Sequence, residues 1–321
     1  MTSQYGRCRP RYWLVGLALL PGCGDPGGPG RVAPGVIAYT VLVRGPQSSD
    51  LDIYVARSDG RRQQPLVARS NDDGFPVWSR DGASIAFLSW TGHTRVWDVS
   101  VARRDGGGVR QVLAAGVHSE QPPTWSPDGG RLAFTCLDDA GGWQVCSVGV
   151  GGVGRRQVTA GPGDCLPVAP VWSPQGGRLA YACYGSGEQG GIYVIDEDGS
   201  GRRRLTPDIL DVFSLAWSPD GQDLAVIGRR ALVNPEGVEL LVVRADGSGV
   251  TPIPATLAVE PYNGVTWSPD GRWLAFGGGA FGVEELPHAR IYVVARDGSG
   301  LRAITPDTLH AMYPTWSPAG P

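Results

Sequence analysis

The chain reads as all-β: a six-bladed β-propeller of four-stranded antiparallel blades, closed by its C-terminal strand. Three observations say so. A Trp-Ser pair recurs at Trp78, Trp125, Trp172, Trp217, Trp267 and Trp316, with spacings of 47, 47, 45, 50 and 49 residues. A fixed period of that length marks a repeat architecture. Each copy holds short apolar runs separated by tight glycine turns, the signature of two successive hairpins. The third observation is that the incomplete copies at the two ends of the chain add up to one blade.

The third copy shows the elements in order. Pro123-Thr124-Trp125-Ser126 is strand A. Pro127-Asp128-Gly129 is a turn in which proline presets φ and glycine is free to take φ > 0. Leu132-Ala133-Phe134-Thr135 is strand B, strand C lies near Val145, and Arg156 to Thr159 is strand D. The fourth copy repeats this with Trp172-Ser173-Pro174, Leu179-Ala180-Tyr181, Ile192 to Ile195, the turn Asp198-Gly199-Ser200-Gly201, and Arg204-Leu205-Thr206. Four strands in roughly 45 residues is the size of a propeller blade. Some copies depart from the phrase. Ser79-Arg80-Asp81-Gly82 lacks the proline; Ser173-Pro174-Gln175-Gly176 and Ser317-Pro318-Ala319-Gly320 lack the aspartate. The first unit opens on a B strand, Val36-Ile37-Ala38-Tyr39, with C at Ile53-Tyr54-Val55 and D near Pro65-Leu66-Val67. The chain stops after Pro314-Thr315-Trp316-Ser317, an A strand. Joining the two removes the open sheet edge.

The phrase Trp-Ser-Pro-Asp-Gly-x-x-Leu-Ala-Phe, then Ile-Tyr-Val, Asp-Gly-Ser-Gly and Arg-x-Leu-Thr, resembles the TolB-type propeller repeat. Good copies run from Trp125 to Phe134, Trp217 to Ala225 and Trp267 to Phe276, and the resemblance covers about residues 36–320. It implies the fold and leaves function open, since such repeats sit in many unrelated proteins. TolB itself carries an α/β domain before the propeller. Here a Gly/Pro linker stands in that place, so the interactions of that domain are not carried over. Related propellers of prolyl-oligopeptidase-like enzymes precede a hydrolase domain, which is not expected after closure.

Residues 1–22 read as a targeting segment, 23–35 as a Gly/Pro tether and 36–321 as the propeller. Arg7, Arg9 and Arg11 precede a short apolar core from Tyr12 to Leu20, too short for a permanent span. Leu20-Pro21-Gly22-Cys23 resembles a bacterial lipobox. That resemblance implies cleavage before Cys23, its lipidation, and anchoring in the cell envelope. With Gly24 ahead of Asp25, it implies an outer membrane facing the periplasm; plain secretion is the alternative. Removing residues 1–22 takes away three arginines and no acid, so the formal charge moves from -3 to -6. This balance offers no general attraction for nucleic acid. Cys136, Cys146, Cys165 and Cys183 form an even set in an exported chain. Their strand positions favour the pairs 136–146 and 165–183. Zinc binding is the alternative, although neither spacing has knuckle form. No metal site or cofactor is expected, and the propeller is expected to be monomeric.

Strand order sorts the loops onto two faces. The A–B and C–D hairpins share one, called the bottom. The B–C and D–A loops share the top, where the longest B–C loops run from Gly228 to Val238 and from Gly277 to His288. His93, His118, His288 and His310 are expected in top loops, as are Asp72, Asp73, Glu120, Asp211 and Glu260. A ring of D–A loops at the central channel is the best place for a pocket. Asp72, Asp73, His118, Glu120, Asp211, Glu260 and His310 are therefore the candidate binding residues, against the plainer reading of solvated histidines and turn-capping acids. The repeated tryptophans read as packing between blades. Arg103-Arg104, Arg155-Arg156 and Arg202-Arg203-Arg204 lie near C–D hairpins and read as protection of the outer edge, with a basic rim for an anionic lipid or polysaccharide as the other possibility. No Gly-x-Ser-x-Gly elbow, His-Glu-x-x-His or Walker loop is present. The expected function is a non-catalytic envelope lipoprotein that binds a protein or peptide partner through its top face. The alternative is a propeller enzyme or carbohydrate-binding protein using His and carboxylates at the channel mouth. Carboxylates and His converging within about 3 Å favour the second; a broad aromatic rim favours the first.

Overall fold

The computed structural model describes residues 35–44, 49–90, 96–117, 120–160, 165–184, 190–206, 209–230, 237–254, 259, 263–279 and 289–318. The first blade supplies β1 (Val36–Arg44), β2 (Ser49–Arg57) and β3 (Gln64–Val67). The second is β4 (Asp72–Trp78), β5 (Ser84–Trp90), β6 (Trp97–Arg103) and β7 (Arg110–Val117). The third is β8 (Thr124–Trp125), β9 (Arg131–Leu137), β10 (Trp143–Gly149) and β11 (Arg156–Gln157). The fourth is β12 (Leu166–Trp172), β13 (Arg178–Tyr184), β14 (Gly191–Asp196) and β15 (Arg203–Arg204). The fifth is β16 (Ile209–Trp217), β17 (Asp223–Arg230), β18 (Glu239–Arg244) and β19 (Val250–Pro252). The sixth is β20 (Val265–Trp267), β21 (Trp273–Gly278), β22 (Arg290–Ala295) and β23 (Arg302–Ala303). The last strand, β24 (His310–Trp316), pairs antiparallel with β1 and completes the first blade in the order β24-β1-β2-β3. The six four-stranded sheets and the closure are those the repeat predicts.

The Ser-Pro-Asp-Gly turns explain the phrase. Ser126 Oγ donates to Asp128 Oδ1 and accepts from Arg131 N at 2.9 Å, while Asp128 accepts from Gly130 N at 2.9 Å. Gly129 sits at φ 69°, where a side chain would be strained. The same Ser-Asp pair closes the turns at Ser79, Ser218 and Ser268. The departures are reused as ties. Gln175 Nε2 donates to Asp220 O in the next blade at 3.0 Å. Arg80, standing where other copies have proline, donates to Pro174 O two blades away.

Each blade boundary has its own apolar cluster, six in all, so the ring has no weak seam at the closure. Ile37, Tyr39 and Trp316 meet Ala275, Ile291 and Val293 across the boundary between blades six and one. The repeated tryptophans complete these boundaries in two ways. Trp125, Trp217 and Trp267 donate their indole N–H to Val77 O, Val171 O and Ala216 O of the preceding blade, at 3.0, 3.2 and 3.1 Å. Trp78, Trp172 and Trp316 have no such bond. They follow the blades in which threonine precedes the tryptophan. There a hydroxyl crosses the boundary instead: Thr124 Oγ1 donates to Pro170 O at 3.1 Å, and Thr315 and Thr266 accept weakly from Trp78 N and Trp316 N at 3.5 Å.

The inner strands are longer and less regular than the sequence suggests. Phe75, Ala169 and Tyr313 have φ of 59°, 49° and 52°, and Gly264 has 78°. Each lies three residues before a repeated tryptophan. The ladder register shifts at the first three of these positions, as at a bulge. A left-handed conformation is costly for a bulky residue. Phe75 N donates to Thr40 Oγ1 at 2.9 Å, and Tyr313 N to Asn263 O at 2.8 Å, so a neighbouring blade holds each bulge. Pro76, Pro123, Pro170 and Pro314 add a further feature: a proline two places before the tryptophan removes a donor from an inner edge that has no strand beside it.

Candidate functional site

The bulged inner strands converge on a central channel lined by all six blades, including Pro76, Pro122, Pro170, Ser214, Val265 and Tyr313. It encloses about 40 Å³, room for roughly one water or a few. A small-molecule site needs about 300–1,000 Å³. Among the described residues this opening is smaller than a sugar- or nucleotide-sized site.

From the top surface an aromatic row that the sequence reading missed runs down into the core: Trp90 is exposed, whereas Phe75 and Tyr313 are buried. Trp90 ends β5 and Trp97 opens β6, both at the top of blade two. Their ring centroids are 6.5 Å apart. Trp97 stands edge-on to Phe75 at 5.3 Å, and Phe75 lies 4.4 Å from Tyr313. The row runs from a rim residue, Trp90, which is 37% exposed, to the wall of the channel. Its signal was present in the sequence. Trp90 and Trp97 are tryptophans that no repeat position requires.

The candidate polar residues take separate places. Asp72 and Asp73 open β4, Asp211 lies in β16 and His310 opens β24, so these four belong to inner strands and not to D–A loops. The bulges account for the difference, because they carry the inner strands further toward the top. Asp72 accepts from Leu51 N at 2.8 Å. Asp73 is fully buried and held by Arg69 at 2.6 and 2.7 Å, with Ser89 Oγ at 2.6 Å. Asp211 is paired with Arg229. His310 Nδ1 accepts from Ala289 N at 3.3 Å and borders a groove with Leu42, Val43 and Thr308. Glu120 is exposed between β7 and β8. His118, Glu260, His93, His288 and Cys23 lie outside the described residues. Within the described residues no three of His, Cys, Asp and Glu stand close enough to share a metal ion.

The acids of blades one and two do form one field. Burial raises the Asp52 carboxyl above its usual range, and Asp73, Asp50 and Asp72 push it further up. Asp73 is balanced by Arg69, while Asp72 stands opposite Trp90 in the ladder, so an apolar ring and a carboxylate lie side by side at the top of blade two.

The cysteines pair as expected. Cys136 and Cys146 join strands β9 and β10 with a Cα separation of 5.8 Å, and Cys165 joins Cys183 at 5.4 Å. Two disulfides suit an oxidising compartment.

Comparison with known proteins agrees with this architecture. The sequence pattern of the TolB beta propeller domain matches residues 35–208. TolB from Acinetobacter baumannii superposes with a TM-score of 0.73 at 17% identity, covering 89% of this chain and 67% of that one. A chain of a nidogen/laminin complex gives 0.66 at 11% identity, over 88% of this chain and 98% of that one. Oligogalacturonate lyase in complex with manganese gives 0.55 at 11% identity, over 80% and 71%. Likeness at such identities speaks for the fold alone. No curated protein sequence matches.

Proposed function

Since the chain belongs to the TolB beta propeller domain family, we propose that it is a non-catalytic binding protein of the bacterial cell envelope. Its top face takes a protein or peptide partner, and an acyl group on Cys23 anchors it to the membrane, with the outer membrane facing the periplasm as the preferred site. The row Trp90–Trp97–Phe75–Tyr313 carries this reading. Aromatic residues are the commonest anchors of protein interfaces, and Trp90 presents one at the rim of the top face, backed by the buried rings behind it. The pairing of Asp73 and Asp211 with arginines supports the same reading, because a general acid or base needs a free carboxylate within reach of substrate. The likeness to oligogalacturonate lyase motivates a second reading, a carbohydrate-binding or catalytic propeller.

Crosslinking in intact envelopes followed by pull-down separates the two. The expected result is one stoichiometric protein, recovered at least tenfold less with Trp90→Ala. Failure to recover any protein, together with binding or turnover of an acidic oligosaccharide, would sink the first reading in favour of the second.

A further inference from the structure

The two faces of the ring differ in sign. By position in the chain, 18 arginines and 12 carboxylates of the described residues belong to the bottom strand ends and hairpins, against four arginines and 11 carboxylates at the top; the side chains of Arg155, Arg202 and Arg204 run back up their blades, to Leu137 O, the Cys165–Cys183 pair and Gly190 O. Many bottom carboxylates are committed to turn geometry. Asp105, Asp198, Asp246 and Asp297 each accept a backbone N–H within their own hairpin. Several bottom arginines are by contrast exposed. Arg61, Arg156, Arg178 and Arg272 belong to four parts of the ring and make no side-chain hydrogen bond or ion pair among the described residues.

A second observation concerns where the chain enters. Gly35 accepts from Ser58 N at 3.0 Å, and Val36 accepts from Ser317 N at 2.7 Å. Both contacts are with bottom hairpin segments, so the propeller begins on its basic face. The 12 residues from Gly24 to Gly35 are rich in Gly and Pro.

We propose that the bottom face docks on an anionic phospholipid surface, with exposed arginines meeting the headgroup phosphates, so that the acidic top points away from the membrane. Polybasic surfaces are drawn to anionic bilayers over a Debye length, about 8 Å at physiological salt. The described chain enters the ring on this same face, through Gly35 and Val36. The inference builds on the envelope-anchored reading above, and the two can fail separately.

The test uses residues 24–321, which include the closed ring with its six boundary cores and carry no acyl group. Cosedimentation is measured with vesicles of phosphatidylcholine alone and with vesicles containing about one-third phosphatidylglycerol. Binding to the anionic vesicles only is expected, lost by roughly 0.5 M salt, and weakened more than tenfold by Arg61→Glu, Arg156→Glu, Arg178→Glu and Arg272→Glu combined. Asp72→Asn on the top should leave it unchanged. The salt titration of the parent protein decides the matter if the fourfold variant misfolds. Equal binding to both vesicle types, or binding to neither, overturns the docking surface. Acyl labelling lost in Cys23→Ala tests the anchor independently: vesicle binding without acylation would leave the docking face standing and remove the anchor.

Discussion

Asp128 shows how one residue of the repeat stabilises the fold. The Ser126 hydroxyl, then the Gly130 N–H, hold its carboxyl below the usual range, and Asp81 and Asp220 are lowered likewise, by Ser79 and Ser218 first. A group whose pKa is depressed on folding contributes stability that is complete above its unfolded value and fades as pH falls through the folded one. The melting temperature should therefore hold from pH 7 to about 5 and fall below roughly pH 4, and Ser126→Ala should flatten part of that fall. Unchanged acid sensitivity in Ser126→Ala would show that the turn hydroxyl contributes nothing. The bulges give a second residue-scale test. Ala169→Gly relieves a left-handed φ but adds freedom to the unfolded chain, so its stability should stay within about 1 kcal/mol of the parent. Gly264→Ala should lose about 2 kcal/mol or more in chemical denaturation, because its Cβ would meet Tyr313 Cα at 2.9 Å in addition to the strain.

Among elements, β24 matters most for the ring. Its Trp316 is 4% exposed and packs into the cluster between blades six and one. Trp316→Ala should cost about 3–5 kcal/mol in denaturant unfolding. Deleting residues 312–321 should in addition expose the edge of β1 and make the protein associate, as sedimentation would show. A deletion that leaves both melting and monomer state unchanged would mean the ring does not depend on β24. The β9–β10 pair carries its own staple. The Cys136–Cys146 bond spans a separation of 10 residues, and in the chain-entropy account a loop of that size is worth about 2–3 kcal/mol. Cys136→Ser with Cys146→Ser should lower the denaturation midpoint accordingly, and peptide mapping without reductant should show the 136–146 and 165–183 pairs in protein from the envelope.

At the scale of the molecule, the outer-edge arginines do more than guard strand D. Arg110 donates to Val150 O at 2.9 Å and Arg203 to Ala245 O at 3.3 Å, each reaching the C–D hairpin of the next blade. Arg104 lies over Trp78 at 5.6 Å and donates to Ser317 Oγ at 3.1 Å; Arg296 lies over Trp267 at 5.6 Å and meets the buried Asp223 at 2.6 Å. These ties run between blades and reinforce closure. Asp223 is 1% exposed, so Arg296→Ala should leave a buried carboxylate with Arg244, at 3.2 Å, as its one ion-pair partner among the described residues. A loss of about 2–3 kcal/mol is expected, and Asp223→Asn in the same background should recover part of it. For binding, Trp90→Ala should weaken the partner complex without shifting the melting temperature by more than a degree or two, since Trp90 stands at the rim and not in a boundary cluster.

The period of the tryptophans, the glycine turns and the two end fragments were enough to determine blade number, strand order and closure, and the strand positions of the cysteines favoured one pairing of three without determining it. Blade number, strand order and closure are dictated by local geometry repeated along the chain, and a repeat writes that geometry openly. The position of Asp72, Asp73, Asp211 and His310 on inner strands was not legible, nor was the pairing of Asp73 and Asp211 with arginines. Only the tertiary structure decided these, together with the left-handed bulges at Phe75 and Tyr313, the aromatic row they anchor and the opposite charge of the two faces. Each depends on residues that meet across a blade boundary. Phe75 is held by Thr40 and touches Tyr313, a residue near the other end of the chain. Such contacts obey no period, because they are set by how one sheet twists against the next and not by the pattern within either.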